Sequence, residues 1–233
     1  MFDSPDVAAS RETVAEQVTA KLLQDLIAGV FAPGENLRME KLKQRYAVGA
    51  SPLREALARL VSLGFVTAES HRGFRAAPLS NADIEDITLV RQSIEATALE
   101  RCLQLAGDEW EVGLIAALRR LTLVCTRSPT DREQQIEEVD RAHWLFHRAV
   151  VAACRSPRLL ELQERYYQQA WRYRRRSLYS LVVMPMDDFL NEHETLVQTL
   201  LQREPVRAVQ VLRDHLALTP RDFALETIAS VSE

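Results

Sequence analysis

Four of the five histidines in this chain, His143, His147, His193 and His215, are spaced so that helices could aim them at one point. His143 and His147 are four residues apart in a helical stretch, so their rings share a face, one turn above the other. His193 and His215 belong to two further helical segments near the carboxyl terminus. Three or four imidazoles converging inside a helical bundle suit a borderline divalent metal, Zn²⁺ first and Ni²⁺ second. Asp140 lies one turn before His143 and could accept a histidine N–H from behind, or take the fourth ligand position itself. Any single histidine is more often a satisfied core or surface residue; four at these positions favour a site.

Such a cluster needs helices to carry it, and the composition supplies them. The chain has 233 residues, enough for two domains with separate cores, with only 7 Gly and 9 Pro among abundant Leu, Ala, Glu, Gln and Arg. Its formal net charge of −4 excludes a generic polyanion binder. The charge is uneven, however: residues 38–75 hold eight basic side chains against three acids, a local net of +5. A basic module in an acidic protein fits a nucleic-acid footprint confined to that module. Cys102, Cys125 and Cys154 show no metal or disulfide spacing and read as reduced core residues. No apolar run resembles a signal peptide or a membrane span, so the expected compartment is the cytoplasm.

Along the chain, residues 1–10 read as a loose tail, 11–78 as a DNA-binding domain and 79–233 as an all-helical domain for effector binding and dimerisation. A helical stripe (Val14, Val18, Leu22, Leu26, Val30) spans 13–30 and stops at Pro33-Gly34. Helices at 39–46 and 51–63 follow, the latter with Ser51 at the N-cap and Pro52 at N1. Phe65–Ala68 and Gly73–Ala77 read as two strands joined by a polar tip. Helix, helix, turn, helix and a two-stranded wing is the order of a winged helix-turn-helix. After the Pro78-Leu79 linker, Ser80-Asn81-Ala82-Asp83 opens the second domain as a capping box. Helices are then expected at 81–106, 108–127, 130–154, 157–180, 187–203, 205–218 and 220–230. The predicted fold is mostly α: the winged module followed by an antiparallel bundle of six to seven helices.

In such a module the amino end of the second helix of the pair faces base edges. Here that places Ser51, Leu53 and Arg54, then Ala58. The planar fork of Arg54 matches O6 and N7 of guanine. Arg38, Lys43 and Arg45 could clamp phosphates, and His71, Arg72 and Gly73 of the wing could meet the minor groove. The competing reading has Arg54 and Arg59 as exposed helix arginines paired to Glu55.

The runs Ala32-Pro-Gly-Glu-Asn-Leu-Arg-Met-Glu and Ser51-Pro-Leu-Arg-Glu-Ala-Leu, with Leu60, Gly64-Phe-Val and Gly73, resemble the GntR family of bacterial regulators, in its FadR/VanR-like branch. The resemblance covers almost the whole chain. Most members carry arginine where this chain has Ala50, which implies an operator departing from the common half-site. Asp140-Arg-Ala-His143-Trp-Leu-Phe-His147 resembles the branch's D-x-x-F-H metal motif, with His143 at the aspartate position. His193 and His215 match its two later ligands. The resemblance implies a homodimeric repressor on a palindromic double-stranded operator, with a small carboxylate effector, glutarate or a similar dicarboxylate, bound beside the ion. Arg91, in an R-x-x-x-E pattern with Glu95, either pairs with the effector carboxylate or forms a structural i, i+4 pair. The run Trp171–Arg176 reads as a solvated or inter-domain face, although one arginine could line the pocket. Two other functions stay open: a metal sensor with the ion as signal, and a metalloenzyme, for which no nucleophile or general base is evident.

Overall fold

Thr13 caps the first helix. Its hydroxyl accepts the Glu16 N–H while the Glu16 carboxylate accepts the Thr13 N–H at 2.8 Å, a reciprocal cap that starts α1, Val14–Ile27. The computed structural model describes residues 12–69, 73–127, 132–180 and 186–217. Helix α1 is shorter than its apolar stripe suggests: Val18, Leu22 and Leu26 are buried, whereas Val14 and Val30 are 54% and 46% exposed. Helix α2, Met39–Tyr46, ends at Ala47 in the left-handed region (φ 53°), and the chain turns into α3, Ala50–Ser62. Gly49, not Ser51, occupies the N-cap of α3, and no side chain caps it, so Ser51 lies within the first turn. Strands β1, Val66–Glu69, and β2, Gly73–Ala76, pair antiparallel from Val66↔Ala76 to Glu69↔Gly73. Leu37 N–H donates to Phe74 O at 2.8 Å, tying the lead-in to α2 against the wing. Leu22, Leu42, Leu53, Leu57, Leu60 and Phe65 form the core of this unit.

The chain divides into compact units at 1–78 and 79–233. The second contains α4 (Asn81–Leu105), α5 (Asp108–Cys125), α6 (Arg132–Val150), α7 (Pro157–Ser180), α8 (Met186–Leu201) and α9 (Pro205–Leu216). The helix expected at 130–154 is interrupted: after Val151 the chain tightens into a 3₁₀ turn, Ala152–Cys154, and leaves through Arg155 at φ 51°. The expected tail at 1–10 and helix at 220–230 lie outside the described residues.

Leu99, Leu114, Leu121, Phe146, Val150, Leu196, Leu200 and Leu212 build the main core of the helical unit. Trp110 donates its indole N–H to Ala149 O at 3.0 Å, pinning α5 to the end of α6. All three cysteines are buried and free, and burial raises the Cys102 thiol to about 12 and the Cys125 thiol to about 11. No described helix is long and apolar enough to cross a membrane.

Leu57 is fully buried between helices of the first unit. Replacing it with alanine is expected to lower unfolding free energy by about 2–5 kcal/mol, the usual cost of a leucine-sized void. Urea unfolding of the wild type and of Leu57→Ala checks this; a loss below about 1 kcal/mol would contradict the packing.

Candidate metal centre and nucleic-acid interface

Helix α6 delivers His143 and His147 one turn apart, α8 delivers His193, and α9 delivers His215. One nitrogen from each ring lies within 4.8 Å of the other three. Nε2 of His147 is 3.0 Å from Nε2 of His143 and 3.4 Å from Nε2 of His215. Tetrahedral nitrogen ligands about 2.0–2.1 Å from Zn²⁺ stand roughly 3.3 Å apart, so these two separations would suit a metal ion. Phe146 and Phe189 pack on the rings and help to exclude water.

The opposite ring nitrogens face outward, each towards an oxygen. His143 Nδ1 meets the Tyr167 hydroxyl at 2.9 Å, and that hydroxyl donates to Asp140 Oδ1 at 3.4 Å. His193 Nδ1 donates to Phe189 O at 2.6 Å. His147 Nδ1 lies 3.8 Å from Glu95 Oε2, and His215 Nδ1 lies 3.9 Å from Glu192 Oε2. The Phe189 carbonyl can only accept, which puts the His193 N–H on Nδ1 and its Nε2 lone pair inward, whereas Nδ1 of His147 and of His215 makes no hydrogen bond. The buried Nε2 of His193 has no hydrogen-bond partner, a gap that a metal ion would fill. Asp140 is thus linked to His143 through the Tyr167 hydroxyl, and it is His143 that belongs to the converging set of nitrogens.

Burial is the main force lowering the pKa of all four imidazoles. Arg174 lowers each of them further, and the neighbouring imidazoles add to this for His143, His147 and His215. His193 is brought down to about 4. The rings are thus neutral near pH 7, the form that ligates metal.

Two arginines share the site. Arg91 is 1% exposed and pairs with Glu95 at 2.9 Å, and its guanidinium also sits 5.4 Å from the centre of the Tyr167 ring. The i, i+4 reading of Arg91 is thus the one that its contacts show. Arg174 points an amine nitrogen to within 3.2 Å of His143 Nε2, and burial, then Arg91, lowers its pKa to about 10.

The run Trp171–Arg176, expected as a solvated or inter-domain face with one arginine able to line the pocket, is not solvated over its first three residues: Trp171, Arg172 and Tyr173 are buried, and Arg174 is the arginine beside the histidines. Tyr167 and Glu192 were not named as site residues from the sequence, and Glu95 and Arg174 entered only as Arg91's partner and as one of that arginine run. One signal could have found two of them: Gln163, Tyr167, Ala170 and Arg174 recur at helical spacing, a polar stripe on a face that is otherwise core.

In the first unit, Arg38, Arg54 and Gly73 come from α2's entry, α3 and the wing, yet line one surface cleft of about 420 Å³. Arg54 is exposed and forms no ion pair with an acid among the described residues, and Ser51 and Ala58 are exposed beside it. Leu53 is wholly buried, so it serves the core and does not face a groove. Arg59 is the arginine paired to Glu55 (2.7 Å), with Glu16 at 3.6 Å. Lys43 pairs with Glu40 at 2.8 Å, and Arg45 with Asp25 at 2.6 Å, which ties α2 to α1. His71 and Arg72 lie outside the described residues. Gly73 opens β2 at φ +86°, a left-handed conformation that a side chain would strain.

The depressed imidazoles make a pH prediction for metal-free protein. Below the ordinary histidine pKa of 6.5 the unfolded chain binds protons that the folded cage refuses, so stability falls as pH drops towards the folded values. Each such histidine contributes up to about 1.4 kcal/mol per pH unit in that window. Urea unfolding between pH 7.5 and 5.0 should show this slope, and His193→Gln should flatten it; a flat wild-type profile would show that the rings are not buried together.

Residues 86–218 match the FCD domain, and residues 14–75 match the bacterial regulatory proteins of the gntR family. The chain is 38% identical over 214 residues to the HTH-type transcriptional repressor GlaR of Escherichia coli (strain K12), covering 89% of this chain and 94% of that relative. It is 31% identical to the HTH-type transcriptional regulator BphR of Paraburkholderia xenovorans (strain LB400), covering 91% and 86%. The solved structure of E. coli McbR/YncC superposes with a TM-score of 0.68 at 20% identity, covering 88% of this chain and 94% of that one, which shows the shared fold. With a winged helix-turn-helix on one side of Pro78 and an all-helical FCD domain on the other, this chain belongs to the gntR family of bacterial transcription regulators, and it is not an enzyme.

Proposed function

We propose that this chain is a homodimeric repressor whose affinity for a palindromic operator is set by a small dicarboxylate, glutarate or a close analogue, bound beside a divalent ion in the helical domain. The carrying observation is the convergence of four buried imidazoles, one nitrogen of each within 4.8 Å of the other three and two of the separations at 3.0 and 3.4 Å, with a guanidinium at their edge. The set His143, His147, His193 and His215 contains no hard carboxylate, which favours Zn²⁺, with Ni²⁺ next. When bound, the ion would act as a Lewis-acid anchor for an oxygen ligand.

Charge supports the effector class. Arg91, Arg174 and a divalent ion face Glu95 in the site, with Asp140 behind Tyr167. The excess is positive, and a ligand with two carboxylates would balance it, one group towards the ion and Arg174, the other towards Arg91. On the DNA side, Arg54 would read guanine and Arg38 would hold phosphate, with Ser51 and Gly73 close to the same strands. The likeness to GlaR, a repressor by name, supports the sign of regulation. A small change in the separation of two winged modules would shift them off half-sites that lie a fixed distance apart.

One observation favours a second reading. Four imidazoles already complete a tetrahedral Zn²⁺ shell, the closed form of a structural or sensing site. In that case the ion alone is the signal.

Operator binding separates the two. Fluorescence anisotropy on DNA from upstream of the chain's own coding region is to be measured with metal-free, Zn²⁺-loaded and Ni²⁺-loaded protein, with and without glutarate and monocarboxylates. A dicarboxylate is expected to weaken binding by at least tenfold in loaded protein only. Switching by metal alone, indifferent to every acid, would install the sensor reading instead. Arg54→Ala should cost about 1–3 kcal/mol of operator affinity and relax discrimination at one base pair, while Arg38→Ala should weaken all sequences alike.

A further inference from the structure

We propose that Tyr173 is the positioning residue through which occupancy of the histidine cage is felt at the first turn of α4, where the chain leaves the linker. The inference rests on the metal reading above.

It starts from two consecutive residues of α7. Arg174 holds its guanidinium 3.2 Å from Nε2 of His143, the nitrogen a metal ion would take. An ion there brings two like charges close together in a dry site, so the guanidinium must withdraw or take an anion between them. Tyr173, about 100° further round the helix, is 1% exposed and faces the other way. Its hydroxyl accepts the Ser80 N–H at 3.1 Å and donates to the Asp83 carboxylate.

Those partners explain why a tyrosine sits there. Ser80 caps α4 by accepting the Asp83 N–H at 3.1 Å, one half of a capping box. In the full motif a glutamate at the fourth position reaches back to the cap's own N–H. Asp83 is one methylene shorter, and the Tyr173 hydroxyl bridges the gap between its carboxylate and the Ser80 N–H. The start of α4 is therefore completed by a side chain borrowed from α7. Tyr173 also packs with Ile84, Ile87 and Ala170, and with Leu79 of the linker, in a cluster separate from the main core. Because this cluster is separate from the main core, a displacement of α7 at Tyr173 would reach the first turn of α4 without unpacking that core.

Hydrogen exchange followed by mass spectrometry tests this on the full chain with Zn²⁺ as the probe. In the wild type, saturating Zn²⁺ is expected to change amide exchange in residues 79–87 by at least threefold, alongside protection of the His143–His147 turn. In Tyr173→Phe the response at 79–87 should vanish, while Zn²⁺ stoichiometry and the response around His143 persist. A purely structural tyrosine would alter baseline exchange and leave the Zn²⁺-dependent difference in place, which would overturn the proposal. So would a wild-type segment 79–87 that ignores bound Zn²⁺. Should Tyr173→Phe not fold, Asp83→Asn, which weakens the same bridge, must show the same selective loss. Absence of stoichiometric Zn²⁺ in the wild type would instead bring down the metal reading, and this inference with it.

Discussion

The helical domain brings four buried imidazoles together, and besides one another their clustered nitrogens meet a cation, the Arg174 guanidinium 3.2 Å from His143 Nε2. Rings held neutral by burial can turn lone pairs towards a common point, an arrangement that a cation stabilises. The outer oxygens make it possible: the Tyr167 hydroxyl, the Phe189 carbonyl and the carboxylates of Glu95 and Glu192 flank the Nδ1 atoms at 2.6 to 3.9 Å. Three helices must hold register for this, and the main core of Leu114, Phe146, Leu196 and Leu212 supplies that rigidity.

The second constraint is charge. Burial keeps the imidazoles neutral, yet Arg91 and Arg174 stay in the same region with Glu95. The protein's own carboxylates Glu95 and Asp140 act on these guanidiniums and offset their charge. The buried stripe of α7 belongs to the same region: Gln163 donates to His147 O at 2.8 Å, and Tyr167 and Arg174 lie beside His143.

The amino-terminal unit follows a simpler logic. Its side chains sort by burial: Leu53, Ala56, Leu57 and Leu60 of α3 go inward, and Ser51, Arg54 and Ala58 outward. Several basic residues that look alike in a charge count separate once partners are visible. Lys43, Arg45 and Arg59 are occupied by Glu40, Asp25 and Glu55 on the protein itself. Arg38 and Arg54 share a cleft with the glycine that opens β2.

Periodicity alone was enough to locate most of the described helices and the wing, because burial of apolar side chains repeats at 3.6 or 2 residues. It misplaced Val14 and Val30, which are exposed, and did not show that Leu53 serves the core. The pairing of His143 with His147 was equally legible, since four residues is one turn. Errors arose where local competition decides: Gly49 displaced Ser51 as the cap of α3, and the chain after Val151 tightened into a 3₁₀ turn. The roles of Glu95, Tyr167, Arg174 and Glu192 depended on contacts across 23 to 52 positions of chain, for which linear spacing carries no signal. Which donors exist was written in residue types and turns; which oxygen backs which ring, and which arginine is left facing the cage, was decided only when separate helices packed and desolvated them together.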